Sequence, residues 1–203
     1  MPILQRLRQF IRDAVGRYFE QPFASALSRL GVTPNLATLL GVVLAAAAAY
    51  FVATGRFQLA SVFLLGASAF DLVDGAIARR SNTVSKRGAF FDSTADRVSE
   101  GAVLLGFLVY FVQPATANGT AAILAFVAFA GSVMVSYVRA RAEGLALGGN
   151  SKFEGFFTRT ERVLIAIAGL AIGQPLIVLW VLAIGTPLSA LQRFWSVWRS
   201  ARD

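Results

Sequence analysis

The sequence predicts an all-α integral membrane protein: six transmembrane helices preceded by an amphipathic juxtamembrane helix. Three observations predict it. The 203 residues are 56% apolar with a mean hydropathy of +0.63, too apolar for a soluble domain of this size. The apolar residues gather into windows, most of them near the roughly 20 residues that cross a bilayer. The formal charge is +8, and the basic residues are interleaved with those windows rather than set on one polar face, which favours an anionic membrane surface and phosphate-bearing ligands over nucleic acid.

Residues 1–30 carry Arg6, Arg8, Arg12, Arg17 and Arg29 among Leu4, Leu7, Phe10, Ile11, Val15, Phe19 and Phe23 at helical spacing. This reads as an amphipathic helix lying on the membrane surface, with no cleavable signal peptide. Apolar windows follow at about 34–54, 58–78, 89–113, 119–142, 160–173 and 175–198, predicting a single six-helix domain over 31–203. Thr33-Pro34 supplies an N-cap and first helical residue for span one, and Thr158 with Glu161 has capping-box spacing at span five. Spans five and six divide at Gly173-Gln174-Pro175.

The lysines and arginines sit in the N-terminal helix, in the connection with Arg79, Arg80, Lys86 and Arg87, between Arg139 and Arg162, and in the tail with Arg193, Arg199 and Arg202. The opposite connections hold Arg56, the uncharged stretch 113–120, and 173–175. Both termini are therefore expected in the cytoplasm, with the protein in the cell membrane.

The chain has no cysteine and no histidine. Disulfides, thiolate nucleophiles, sulfur-ligated metals, Ser-His triads and imidazole ligands are excluded, so any chemistry must use oxygen ligands and carboxylates. Four of the aspartates lie between residues 71 and 96. On helices, Asp71 with Asp74 and Asp92 with Asp96 each share a face. Four carboxylates clustered beside lipid are costly unless cations neutralise them. All-oxygen ligation favours two Mg²⁺ or Mn²⁺ ions with positions open to phosphate oxygens, as in phosphoryl transfer. Gly75 and Gly88 remove side chains where backbone or ligand must come close, Ala78 keeps the same face open, and Arg79 lies one turn beyond Gly75, near enough to orient a phosphate or an acid.

This constellation, Asp71-x2-Asp74-Gly75-x2-Ala78-Arg79-x8-Gly88-x3-Asp92-x3-Asp96, resembles the CDP-alcohol phosphotransferase signature at every fixed position. The resemblance implies six spans, a preceding surface helix, cytoplasmic termini and a homodimer. It implies that Asp71, Asp74, Asp92 and Asp96 hold two metals, that Asp96 is also the general base, and that Gly75, Ala78, Arg79 and Gly88 frame the CDP group. Spacing alone does not choose Asp96 over Asp92 as the base. The implied reaction is attack by an alcohol oxygen on the lipid-linked phosphorus of a CDP-activated donor such as CDP-diacylglycerol, with CMP leaving. Asn35 and Thr38 resemble the family's T-P-N/D-x-x-T segment near the nucleotide, and serve equally as helix-start residues.

Ser136-Tyr137-Val138-Arg139-Ala140-Arg141-Ala142-Glu143-Gly144 resembles the phosphatidylinositol-phosphate synthase branch, and is similar to archaeal archaetidylinositol-phosphate synthases. There the acceptor is inositol 1-phosphate. Carried over by position, Ser136, Arg139, Arg159 and Arg193 form the acceptor's phosphate pocket, with Arg141 in support. Arg139 stands where that branch often has Lys, which keeps the charge and changes the hydrogen-bond geometry. Arg193 lies about one turn inside the helix end marked by Trp195, Trp198 and Arg199, so it calls for an inward partner.

Two alternatives stand beside this reading. A phosphatidylglycerophosphate synthase would share the signature and take glycerol 3-phosphate. An ion-coupled transporter would use intramembrane acids as a pathway, but here the acids cluster at one face beside arginines.

Overall fold

In the computed structural model the described residues are 20–147 and 156–201. Residues 1–19 of the expected amphipathic helix, and Arg202 of the basic tail, lie outside them. The described residues form seven helices: α1 (Gln21–Arg29), α2 (Pro34–Ala53), α3 (Phe57–Arg80), α4 (Lys86–Val112), α5 (Gly119–Gly144), α6 (Arg159–Ala171) and α7 (Pro175–Ser200).

The helix boundaries follow local chemistry. Thr33 Oγ1 accepts from the Leu36 N–H at 3.3 Å, opening α2, and Asn118 Oδ1 accepts from the Ala121 N–H at 3.0 Å, opening α5. At the start of α6 the Thr158–Glu161 capping box forms, with the Thr158 N–H donating to Glu161 Oε2 at 2.6 Å. Between α6 and α7, Gly173 adopts φ 69°, a left-handed conformation that closes α6, and Pro175 occupies the first turn of α7.

Four helices, α2, α3, α5 and α7, are long and apolar enough to cross a membrane. The other two expected spans differ for physical reasons. The first 15 of the 27 residues of α4 include Lys86, Arg87, Asp92, Asp96, Arg97 and Glu100. The 13 residues of α6 rise only about 20 Å, against a hydrocarbon core of about 30 Å.

The chain divides into two compact units. The first comprises the described part of Met1–Leu44 with Gly66–Val98. In it Phe23, Ala24 and Leu27 of α1 pack with Ala37 of α2 and with Phe70, Val73, Ala76 and Ile77 of α3. The second comprises Ala45–Leu65 with the described part of Ser99–Asp203. Its interior is rich in small residues, including Ala48, Ala60, Ala121, Ala125, Ala128 and Ala183, while Leu105, Ile123, Phe126, Ile184 and Leu191 are exposed. Small side chains inside and large apolar ones outside are what helix association in lipid requires, because lipid offers no hydrophobic penalty to an exposed Leu and close backbone approach supplies the contact energy. Thus a Cβ on Gly131 of α5 would fall 2.8 Å from the Pro187 nitrogen of α7. Beside it the Thr186 hydroxyl donates across to the Ala128 carbonyl at 3.2 Å.

Candidate active site

Three of the four signature aspartates converge. Asp71 on α3 and Asp92 and Asp96 on α4 are half-buried, and one carboxylate oxygen from each lies within 4.8 Å of the others. Oxygens around a single Mg²⁺ at about 2.1 Å stand about 3 Å apart on adjacent vertices and about 4.2 Å on opposite ones, so slight contraction would let this all-oxygen set close on one hard divalent cation. Asp74 is tied to α2. It is 6% exposed, and its Oδ2 accepts from the Thr38 hydroxyl at 2.7 Å.

Beside these carboxylates is a cleft of about 560 Å³ whose lining includes Asn35, Thr38, Gly75, Ala78, Arg79 and Gly88, together with Asp74 and Asp92. All six residues assigned to the nucleotide by resemblance therefore share one cavity with two of the acids. The glycines are explained by contact. A Cβ on Gly75 would lie 3.3 Å from an Arg79 guanidinium nitrogen, and one on Gly88 would lie 3.2 Å from Ser85 Oγ and 3.9 Å from Asn35 Oδ1. Ser85 caps α4 by accepting from the Gly88 N–H at 3.0 Å. Ser85 and Gly88 at this helix start both line the cavity, and a helix N-terminus favours an anion.

Sequence reasoning passed over Glu20, which forms an ion pair with Arg79. Nothing in the spacing could have found it, since 59 residues separate the two. It also passed over Thr83, Val84, Ser85 and Ala89, which line the same cleft. Ser85, a hydroxyl residue just ahead of Lys86, was available as a cap signal.

The second unit holds the residues expected to bind the acceptor. Arg193 on α7 is 8% exposed, and its Nη1 donates to the Val135 carbonyl at 3.3 Å. Val135 immediately precedes Ser136, which is half-buried with its hydroxyl donating to the Ser132 carbonyl at 3.3 Å. One turn on, Arg139 is exposed and its Nε donates to Glu143 Oε1 at 2.8 Å, an i,i+4 pair. Arg141 is exposed in the last turn of α5, and Arg159 is half-buried as the first residue of α6. Arg162, three residues on, is 3% exposed and grips Glu100 through Nε–Oε1 at 2.8 Å and Nη2–Oε2 at 3.3 Å.

Carboxylates converged for oxygen-only ligation, beside a cleft with an arginine and a helix N-terminus, suit metal-dependent phosphoryl transfer. Residues 31–191 match the CDP-alcohol phosphatidyltransferase family, and the chain belongs to it. It is a multi-pass membrane enzyme of phospholipid synthesis that transfers a phosphatidyl group, which sets aside the transporter reading. Over 195 residues it is 35% identical to the phosphatidylinositol phosphate synthase of Streptomyces avermitilis, covering 90% of this chain and 79% of that one. The crystal structure of Mycobacterium tuberculosis phosphatidylinositol phosphate synthase in complex with manganese and citrate matches with a TM-score of 0.79 at 30% identity, covering 88% of each chain. The same enzyme with CDP-DAG bound matches with a TM-score of 0.77 at 29% identity, over 88% of this chain and 93% of that one.

Proposed function

We propose that the chain is a phosphatidylinositol phosphate synthase, transferring the phosphatidyl group of CDP-diacylglycerol to inositol 1-phosphate and releasing CMP. The observation that carries the acceptor assignment is the burial of Arg193 against the helix that bears Ser136 and Arg139. A guanidinium seated beside the helix of Ser136 and Arg139 can give charge-assisted hydrogen bonds to a phosphate monoester, which is a dianion.

In the donor cleft, Arg79 and the α4 N-terminus receive the diphosphate, and Glu20 holds Arg79 until that charge arrives. Asp71, Asp74, Asp92 and Asp96 would hold two Mg²⁺ or Mn²⁺ ions, whose chemistry is to neutralise the diphosphate and the charge developing on CMP. Asp96 accepts the proton of the attacking inositol hydroxyl. Its oxygen bonds to the phosphorus that carries diacylglycerol, and the bond from that phosphorus to CMP breaks. Arg97 Nη2 lies 3.6 Å from Asp96 Oδ2. On the acceptor side Ser136, Arg139, Arg159 and Arg193 bind the inositol phosphate, with Arg141 in support.

The reading includes six spans over 31–203, an amphipathic surface helix over 1–30, both termini in the cytoplasm and a homodimer in the cell membrane. Arg193→Gln and Arg159→Gln test the acceptor assignment. Each should raise the KM for inositol 1-phosphate roughly tenfold to a hundredfold, the scale of a lost hydrogen bond to a charged group, with little change in the KM for CDP-diacylglycerol. Unchanged acceptor KM in both variants would contradict it.

A further inference from the structure

The three residues that lead into Arg159 have successive backbone groups held by side chains. The Phe156 N–H donates to Gln192 Oε1 at 3.0 Å. The Phe157 carbonyl accepts from Arg162 Nη1 and from the Ser189 hydroxyl, each at 3.4 Å. The Thr158 N–H donates to Glu161. The Phe157 ring is buried, and a Cβ on Gly185 would fall 2.5 Å from it, so that glycine of α7 is the seat for the ring.

Arg162 links this turn to α4, because the guanidinium that reaches Phe157 is the one Glu100 grips with both oxygens. A buried charge pair adds little stability over apolar residues of similar volume. What the planar fork supplies here is direction: Glu100 fixes its orientation, and Nη1 then fixes one carbonyl. That carbonyl lies two residues before Arg159. Gln192 anchors the same turn from α7, and the next residue on α7 is Arg193.

We propose that Arg162, oriented by Glu100, and Gln192 are positioning residues for the acceptor phosphate: together they fix the 156–158 turn and so the placement of Arg159 and of the α6 N-terminus. This rests on the assignment of Arg159 to the acceptor. Neither residue touches substrate, and their effect is confined to how tightly the acceptor is held.

Arg162→Lys keeps the charge opposite Glu100 and loses the fork, and Gln192→Leu changes an exposed position, so the second variant folds even where the first does not. The KM for inositol 1-phosphate, the KM for CDP-diacylglycerol and kcat are measured for each variant, for the double variant, and for Arg159→Gln. Each single change should raise the acceptor KM about tenfold, the scale of one lost hydrogen bond, while the donor KM and kcat move less than about twofold. The double variant should be no worse than about the larger single effect, since both anchors hold one turn. A wild-type acceptor KM in Gln192→Leu, or equal changes in donor and acceptor KM, overturns the proposal. A normal acceptor KM in Arg159→Gln overturns it together with the assignment of Arg159 to the acceptor, whereas a raised KM in Arg159→Gln with none in the anchor variants overturns the positioning role alone.

Discussion

The Thr38 hydroxyl donates to Asp74 Oδ2 at 2.7 Å, joining the start of α2 to the C-terminal third of α3 in the wall of the donor cleft. The bond ties Asp74 to α2, while Asp71, Asp92 and Asp96 each bring one carboxylate oxygen within 4.8 Å of the others.

Thr38→Val keeps the volume and removes the donor from a carboxylate that is 6% exposed. An unsatisfied buried acceptor costs about 1–3 kcal/mol. Activity with CDP-diacylglycerol should fall about tenfold and the unfolding midpoint should drop, while Thr38→Ser retains both. Wild-type CMP release from Thr38→Val would show the bond to be dispensable.

Asp71→Asn, Asp92→Asn and Asp96→Asn each remove a charge from a set of oxygens drawn within 4.8 Å. Each should lower Mn²⁺ affinity, read by paramagnetic resonance, and reduce CMP release by about a hundredfold or more, the scale on which lost metal ligation and charge stabilisation act. Excess EDTA should do the same to the wild type. Full activity in EDTA would remove the metal from the account.

Gly75→Ala places a methyl 3.3 Å from the Arg79 guanidinium. The arginine must shift, at a cost of about 1 kcal/mol, so the KM for CDP-diacylglycerol should rise roughly fivefold with the acceptor KM unchanged. Equal effects on both substrates would point to a general packing defect instead.

Much of the site was legible because its residues are local. The signature places its acids by i,i+3 and i,i+4 spacing on two helices joined by the short connection between Arg80 and Lys86, and the caps at Thr33 and Thr158 are read from neighbouring residues. The pairs Glu20–Arg79 and Glu100–Arg162 were not legible, because partners about 60 residues apart meet only through tertiary packing. Glu100 did leave a trace, following Asp92 and Asp96 at four-residue steps. Window hydropathy marked 160–173 as a span, and its helix has 13 residues because Gly173 closes it.

The chain lacks cysteine, so single cysteines report topology without background. Cysteine at Lys86, the first residue of α4, should react with an impermeant maleimide from the cytoplasmic side, and cysteine at Asn118, the cap of α5, from the opposite side. The reverse pattern would invert the orientation expected from the positive-inside rule.

The most direct measurement is CMP release by the purified protein with Mg²⁺ and CDP-diacylglycerol, comparing inositol 1-phosphate, glycerol 3-phosphate, free inositol and serine as acceptors. Inositol 1-phosphate should be used in strong preference, with free inositol and serine near background because neither brings a phosphate dianion to the arginines. Preference for glycerol 3-phosphate, or equal use of free inositol, would contradict the proposed function and leave the family assignment in place.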